Sequence, residues 1–218
     1  MIKGLIFDMD DTLVNSTPLQ KKSLKKILKK YNIDFDSMPH EVEKSFFGRR
    51  IEEVVKIIID YYSLNITVKQ LLKERDFYYL RLLKNVRPMP GLIKLLKFLK
   101  NSNYNIALAT NSKKEYKDIV FKRFNLNLIF DKVVTCEEVK KSKPNPEIYK
   151  LALKKLKLKT NECIVFEDST NGILAAKNAG IKTVAIKNKL FHINPDLSKA
   201  DLVINSLAEI PKILKSHR

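Results

Sequence analysis

The chain has 218 residues, 44% of them hydrophobic and 30% charged, which is enough to bury a core as one domain or as one domain with an insertion. No apolar run approaches the roughly 18 residues needed to span a membrane. The N-terminal apolar stretch is interrupted by Asp8, Asp10 and Asp11, which argues against a signal peptide. The two cysteines, Cys136 and Cys163, form no CxxC pair and predict buried reduced thiols. We therefore expect a cytoplasmic protein.

The formal net charge is +18, from 42 Lys and Arg against 24 Asp and Glu. This charge is compatible with an anionic partner, either a nucleic acid or a phosphorylated metabolite, and also with a solvated lysine-rich surface. The lysines alternate with apolar residues at helical spacing, as in Lys21, Lys22, Lys25, Lys26, Lys29 and Lys30. The sequence shows no RNP-like aromatic motif, helix-turn-helix or zinc finger. We favour the solvated surface, whose positive potential would still attract a phosphate-bearing substrate.

The chain opens with a short apolar run, residues 5–7, which ends at Asp8 and is followed by Asp10. A short apolar run bounded by a polar break predicts a buried strand. Carboxylates at its end would lie at the carboxyl edge of the sheet, where open α/β sheets bind ligands. If the extended conformation continues, side chains two positions apart point the same way. Two neighbouring carboxylates repel each other, so this segment predicts a divalent metal site.

Residues 18–84 have the pattern of helices and contain no evident strand. The predicted helices cover residues 18–31, 41–47, 51–62 and 67–83. The last of these opens with Thr67 and Gln70 at the spacing of a capping box. A turn-rich junction with two prolines and a glycine follows at residues 87–91.

Helices and strands alternate after this junction. The predicted helices cover residues 91–100, 113–123, 146–156 and 169–179, and the predicted strands cover residues 104–109, 132–135, 163–166, 183–186 and 202–204. We place Asn145 at a helix N-cap, Pro146 at the first helical position and Gly180 at a helix C-terminal stop. The alternation predicts an α/β fold with a parallel sheet and helices on both faces. The simplest organisation is a core of residues 1–14 and 88–218 with a helical insertion, residues 15–87.

Polar side chains follow four of the predicted strands at their carboxyl ends. They are Asp8 and Asp10, then Thr110, Asn111 and Ser112, then Lys143, and finally Glu167 and Asp168. Each has an ordinary structural explanation, such as a helix cap, a turn or a solvated lysine. Four consecutive strand ends with complementary polar groups predict one shared site.

The chemistry that suits these groups is phosphoryl transfer, which depends on positioning and charge stabilisation. The carboxylates of Asp8, Asp10 and Asp168 would hold Mg²⁺, which prefers oxygen ligands. Lys143 would supply a second positive charge, and the Thr110 hydroxyl with nearby N–H groups would bind phosphate oxygens. One carboxylate would then be free to attack phosphorus and to split hydrolysis into two steps.

Four segments of the sequence form an ordered set of motifs. They are Asp8-Met9-Asp10-Asp11-Thr12, Thr110-Asn111-Ser112, Lys143-Pro144-Asn145-Pro146 and Glu167-Asp168-Ser169-x-x-Gly172. This set resembles the four motifs of the haloacid dehalogenase (HAD) superfamily and covers nearly the whole core. The stretch 167–180 is similar to the branch that contains β-phosphoglucomutase and phosphoglycolate phosphatase. The resemblance implies a Rossmann-like core with a helical cap domain inserted after the first strand.

The resemblance also implies roles for individual residues. Asp8 would be the nucleophile that becomes an aspartyl-phosphate, and Asp10 would be the general acid and then the general base. Thr110 and Lys143 would bind the transferring phosphate together with Asn111, and Lys143 would also screen the charge of Asp8.

The implied Mg²⁺ ligands are the side chain of Asp8, the backbone carbonyl of Asp10 and the side chain of Asp168. The role of Glu167 stays open, because adjacent strand residues face opposite ways. It would either bind the metal directly or orient a water molecule or Lys143.

Four positions bear on the type of reaction or mark where this sequence departs from the family pattern. Asp10 favours phosphate-ester chemistry, because dehalogenating members of the superfamily lack this carboxylate. Gln20 stands where the mutase has a histidine, which favours a hydrolase. Arg49, in the run Phe47-Gly48-Arg49, either holds a distal substrate phosphate as in the mutase or is a surface residue. Asp11 replaces the glycine usual in this branch, and we expect little effect.

The sequence thus predicts a Mg²⁺-dependent phosphatase that acts on a small phosphorylated metabolite, either a sugar phosphate or a phosphoglycolate-like monoester. The alternatives are a hexose-phosphate mutase and a basic nucleic-acid-binding protein, of which we do not expect the second. We expect a monomer or a weak dimer with no membrane association.

Overall fold

The computed structural model describes residues 1–46, 49–187 and 195–215. Its strands are β1 (Gly4–Phe7), β2 (Val14–Asn15), β3 (Arg87–Pro88), β4 (Asn105–Ala109), β5 (Lys132–Val134), β6 (Cys163–Glu167), β7 (Lys182–Ile186) and β8 (Leu202–Ile204). Six of them form a sheet in the order β5–β4–β1–β6–β7–β8, and every neighbouring pair is parallel. The predicted α/β fold class is confirmed.

The helices lie close to the positions that the hydrophobic periodicity predicts. They are α1 (Thr17–Leu28), α2 (His40–Lys44), α3 (Ile51–Tyr62), α4 (Val68–Leu83), α5 (Leu92–Lys100), α6 (Lys114–Phe124), α7 (Glu147–Leu156), α8 (Thr170–Asn178) and α9 (Ile210–Lys215). The capping box before α4 is present, since the Thr67 hydroxyl accepts from the Gln70 amide and the Gln70 side chain accepts from the Thr67 amide.

Two local predictions differ from the structure, and one helix was not predicted. The helix predicted over residues 41–47 runs from His40 to Lys44, and Phe47 lies outside the described residues. Helix α7 begins at Glu147, so Pro146 precedes the helix, and the Asn145 side chain accepts from the Glu147 amide at 3.0 Å. Helix α9 was not anticipated, because its six residues are too few for a clear periodic pattern.

The junction at residues 87–91 is more ordered than its prolines suggested. Strands β2 and β3 pair antiparallel, with Val14 opposite Pro88 and Asn15 opposite Arg87. A two-residue ribbon tolerates the proline because it has no further neighbour that needs its N–H. The segment between these two strands therefore begins and ends at one place.

Strand β1 lies at the centre of the sheet and is buried along its whole length. Alternate side chains enter different hydrophobic clusters, because strand residues point to opposite faces. Leu5 and Phe7 join one cluster, in which Phe7 stacks on Phe166 with ring centroids 4.7 Å apart. Ile6 joins the other, with Tyr149 of α7. Burial on both faces explains why the sequence of β1 is a continuous apolar run.

The segment between β2 and β3 carries a third hydrophobic cluster of its own, with contributions from α1, α3 and α4. Members of this cluster include Leu24, Ile27, Val55, Ile58 and Leu71. Five of the six lysines on and just after α1 are exposed, in agreement with a solvated face, whereas Lys21 is partly buried. The division into core and cap at residues 14 and 88 stays a prediction.

Cys136 and Cys163 are both buried and unpaired with each other, as expected for free thiols. Within the described residues, none of the helices combines the length and the apolar character that crossing a bilayer requires.

Candidate active site

The predicted site residues meet where β1, β4 and β6 end side by side. These three strands are neighbours in the sheet, so the residues that follow them share one edge. One cavity is lined by all but one of the predicted site residues, namely Asp8, Asp10, Thr110, Asn111, Lys143, Asp168 and Arg49. The exception, Glu167, is fully buried and contacts Lys143.

Lys143 is the link between the strands. It lies on the loop between β5 and α7, is 3% exposed, and donates to Asp8 Oδ1 at 2.6 Å, Glu167 Oε1 at 2.7 Å and the carbonyl of Ala109 at 3.0 Å. Burial alone would lower the pKa of this ammonium group. The carboxylates of Asp8 and Glu167 outweigh burial, so the pKa of Lys143 is raised and the side chain is charged.

Both carboxylate oxygens of Glu167 are occupied by hydrogen bonds. Oε1 accepts from Lys143 and from the Tyr149 hydroxyl at 2.9 Å, and Oε2 accepts from the amides of Asp168 and Ser169 and from the Ser169 hydroxyl. Burial raises the pKa of Glu167, but Lys143 and these donors outweigh it, and the net shift is downward. Of the roles left open for Glu167, the contacts favour orienting Lys143.

Gly172 of α8 is required by the position of Glu167. A Cβ atom at residue 172 would lie 1.7 Å from Glu167 Oε1, far inside any tolerable contact. The glycine of the fourth motif therefore leaves room for the carboxylate that holds Lys143.

Asp8, Glu167 and Asp168 form an acidic cluster in which one oxygen of each lies within 4.8 Å of the others. Burial is the main reason that the pKa values of Asp8 and Asp168 are raised, and the neighbouring carboxylates add to it. A cation between them would reverse both shifts, because it stabilises the ionised forms. This all-oxygen donor set fits a divalent ion such as Mg²⁺.

Asp10 has one engaged and one free oxygen. Oδ2 accepts from the Ser112 hydroxyl at 2.6 Å and from the Thr110 hydroxyl at 3.4 Å. Oδ1 is buried without a hydrogen-bond partner among the described residues. Since Asp10 lines the cavity, this oxygen is placed to form a hydrogen bond with a molecule bound there.

Residues of the helical segment also line the cavity. Arg49 lines it, while its Nε donates to the Ser45 carbonyl at 2.7 Å and its Nη1 lies 3.5 Å from Glu53 Oε2. Phe47 and Gly48, the rest of that predicted motif, lie outside the described residues. Gln20 also lines the cavity.

Sequence reasoning missed Arg75 of α4, which lines the cavity and is 1% exposed. Its guanidinium stacks 3.8 Å from the Tyr79 ring centroid and donates to the Tyr116 hydroxyl at 3.1 Å. A signal was available, because Arg75 occupies the apolar face of its helix four residues after Leu71 and four before Tyr79. A charged residue at such a core-facing position indicates a polar environment.

Comparison with known families gives the same assignment as the motifs. A family model described as haloacid dehalogenase-like hydrolase matches residues 5–186, most of the chain and all four motifs. The chain belongs to this family. The prediction of a phosphatase of the haloacid dehalogenase family is confirmed, because the relatives of the chain include phosphatases of this family.

Three similar proteins span nearly the whole chain. A glyceraldehyde 3-phosphate phosphatase from Methanocaldococcus jannaschii is 30% identical over 99% of this chain and 98% of its own. A predicted phosphoglycolate phosphatase from Haemophilus somnus is 26% identical, with a TM-score of 0.85 and 98% coverage of both chains. A β-phosphoglucomutase from Clostridium difficile is 25% identical, with a TM-score of 0.83 over 100% of this chain and 97% of its own.

The hydrogen bond from Tyr149 to Glu167 has a measurable consequence. We expect Tyr149→Phe to lower the free energy of unfolding by about 1.5–3 kcal/mol, because a fully buried carboxylate loses a donor. Urea denaturation would measure the change. Tyr104→Phe, at a partly buried position outside the cavity, is the control and should shift stability by less than about 0.5 kcal/mol. Equal small shifts in both variants would contradict the role of this bond.

Proposed function

We propose that this hydrolase is a Mg²⁺-dependent phosphatase of a small phosphorylated metabolite, and that it acts through an aspartyl-phosphate on Asp8. The class of substrate is a sugar phosphate or a phosphoglycolate-like monoester. The observation that carries the proposal is the position of Asp8. Its Oδ1 is held by Lys143 at 2.6 Å, and it shares an acidic cluster with Asp168 beside the free oxygen of Asp10.

The metal is assigned to Asp8 and Asp168, with the backbone carbonyl of Asp10 as a third ligand. Glu167 supports this set from below by holding Lys143 and by accepting from the Asp168 amide at 2.9 Å. When bound, Mg²⁺ supplies positive charge that screens the phosphate from the carboxylates and orients a phosphate oxygen.

The first chemical step is attack by Asp8 on phosphorus. An oxygen of Asp8 forms a bond to phosphorus while the bond from phosphorus to the substrate oxygen breaks. Asp10 Oδ1 gives its proton to that leaving oxygen, so the product departs as an alcohol. Lys143 and Thr110 bind the phosphate oxygens during this transfer, and Asn111 lines the same part of the cavity.

The second step hydrolyses the aspartyl-phosphate. Asp10, now ionised, removes a proton from a water molecule, whose oxygen attacks phosphorus and releases Asp8 and inorganic phosphate. The hydroxyl of Ser112, 2.6 Å from Asp10 Oδ2, keeps this side chain in one orientation through both steps.

Residues 15–87 act in this proposal as a cap that closes over the reaction and excludes water. Contacts between the two parts support this assignment. Arg50 donates to the Val139 carbonyl at 2.8 Å, Ser142 donates to Glu53 at 2.5 Å, and Lys113 lies 3.0 Å from Asp76. The Ser142 contact adjoins Lys143, so closure and the phosphate-binding lysine are physically connected.

The cap residues that face the substrate favour hydrolysis over transfer of the phosphoryl group back to the sugar. Gln20 lines the cavity, and its amide cannot exchange a proton with a sugar hydroxyl at neutral pH. Arg49 lies in the same cavity and offers a cation to an anionic group at the far end of the substrate. A mutase remains the second candidate because of Arg49.

A phosphate-release panel tests the function directly. Sugar phosphates, phosphoglycolate, nucleotides and pyrophosphate would be incubated with the enzyme and Mg²⁺, and we expect turnover of one or a few small monoesters. Formation of glucose 6-phosphate from β-glucose 1-phosphate and a bisphosphate, without free phosphate, would overturn the hydrolase in favour of the mutase. Salt-dependent retention of nucleic acid without any turnover would favour the binding protein.

Asp8→Asn should lower kcat by about 10⁴-fold or more, because the amide is a poor nucleophile. Circular dichroism should be unchanged, since asparagine has the same shape. Asp60→Asn, at an exposed position of α3, is the matched control and should retain full activity. Substantial turnover by the Asp8 variant would exclude the assigned nucleophile.

Removal of divalent ions should abolish turnover, and Mg²⁺ should restore it, because the buried carboxylates of Asp8 and Asp168 need a cation. Mg²⁺ should also raise the melting temperature of the metal-free protein, since it binds only the folded site. Asp168→Asn should reduce that increase. A rate insensitive to EDTA, or a melting temperature insensitive to Mg²⁺, would argue against the metal site.

A further inference from the structure

Asp11 is the residue at which this chain departs from the glycine usual in its branch, and its side chain is fully engaged. It has a φ of 57°, in the left-handed region, and is 4% exposed. Its Oδ1 accepts from the amides of Ser16 at 3.1 Å and Thr17 at 3.2 Å, and its Oδ2 accepts from the Thr17 hydroxyl. The expectation that Asp11 has little effect is therefore not supported by its contacts.

Among the described residues, no other side chain caps the first turn of α1. Ser16 occupies the N-cap position, but its side chain makes no capping hydrogen bond, and Pro18 has no N–H to offer. Ser16 is completely buried, so its amide would lack a partner without Asp11. The Asp11 carboxylate thus caps the helix from five residues upstream, where the positive end of the helix dipole also favours it.

This contact joins two functional parts of the chain across the point where the cap leaves the core. Asp11 directly follows Asp10, and its amide donates to the Val14 carbonyl at 2.7 Å within the same turn. Helix α1, which it caps, presents Gln20, Lys21 and Leu24 to the cavity. Rotation of α1 relative to the catalytic turn would break three hydrogen bonds to one carboxylate.

We propose that Asp11 is a positioning residue that fixes the cavity face of α1 relative to Asp8 and Asp10. This role rests on the proposed function and extends it to the coupling between cap and catalytic turn. Asp11 lines the same cavity as Asp8 and Asp10, but both of its carboxylate oxygens are engaged by Ser16 and Thr17. It determines whether the part of the substrate that faces α1 is aligned when its phosphate lies at Asp8.

Two substitutions separate the carboxylate from the backbone conformation. Asp11→Gly accepts the left-handed conformation freely but removes all three acceptor contacts. Asp11→Asn also tolerates this conformation, keeps an oxygen for the two amides, and lets its own amide donate to the Thr17 hydroxyl oxygen. We therefore expect loss of positioning in the glycine variant and rescue in the asparagine variant.

The kinetic test compares the best sugar phosphate from the panel with acetyl phosphate, whose two-carbon acyl group offers α1 much less to align. Asp11→Gly should lower kcat/KM for the sugar phosphate by about tenfold more than for acetyl phosphate, because misplacement of about 1 Å has effects of this size or larger. Asp11→Asn should restore most of the difference. An equal loss for both substrates would place the effect in the catalytic turn and overturn the proposal.

The physical test uses hydrogen exchange and does not depend on turnover. The amides of Ser16 and Thr17 should exchange at least about tenfold faster in Asp11→Gly than in wild type, because they lose their acceptor. Asn125→Gly is the matched control, since Asn125 has a φ of 54° at an exposed position after α6, and it should leave this exchange unchanged. Wild-type exchange in Asp11→Gly would overturn the proposal. Failure of the phosphatase function would appear separately, as absent turnover in wild type.

Discussion

The site depends on one buried cation, the ammonium group of Lys143, held between Asp8 and Glu167. A buried charge is strongly unfavourable unless it is paired and hydrogen-bonded, and here the pairing joins β1 to β6 while the Ala109 carbonyl adds β4. The same ion pair leaves the second oxygen of Asp8 available. The charge balance of the core and the reactivity of the nucleophile are therefore set by the same side chain.

Sequence alone predicted most of the fold and the principal site residues. Parallel strands end at one edge, so a list of polar residues after Phe7, Ala109 and Phe166 was enough to anticipate which of them meet. It was not enough for Tyr149 and Arg75, because their roles depend on the direction in which a buried side chain points. Helical periodicity identifies a core face but does not show which strand-end group lies opposite it.

The elements that sequence missed are those with little local pattern. Strands β2 and β3 have two residues each and pair across more than 70 residues of chain, so neither carries a recognisable alternation. The hydrogen bonds of Asp11 belong to the same class, since they join a turn to a helix that begins after it. Turn propensity explains why aspartate is tolerated at that position, but tertiary contacts explain what its carboxylate does.

The β2–β3 ribbon has a consequence for how such proteins diversify. Because Asn15 lies opposite Arg87, the seventy or so residues between them begin and end side by side, and the described residues of that segment supply no strand of the six-stranded sheet. A segment of this kind can change in length and composition, or the whole segment can be replaced by recombination, while the residues responsible for hydrolysis are inherited unchanged. Its contacts with the rest of the chain would have to be re-established after each exchange, including the hydrogen bonds of Asp11 and Arg50 and the packing of Tyr79 and Leu83 in the core cluster of β1.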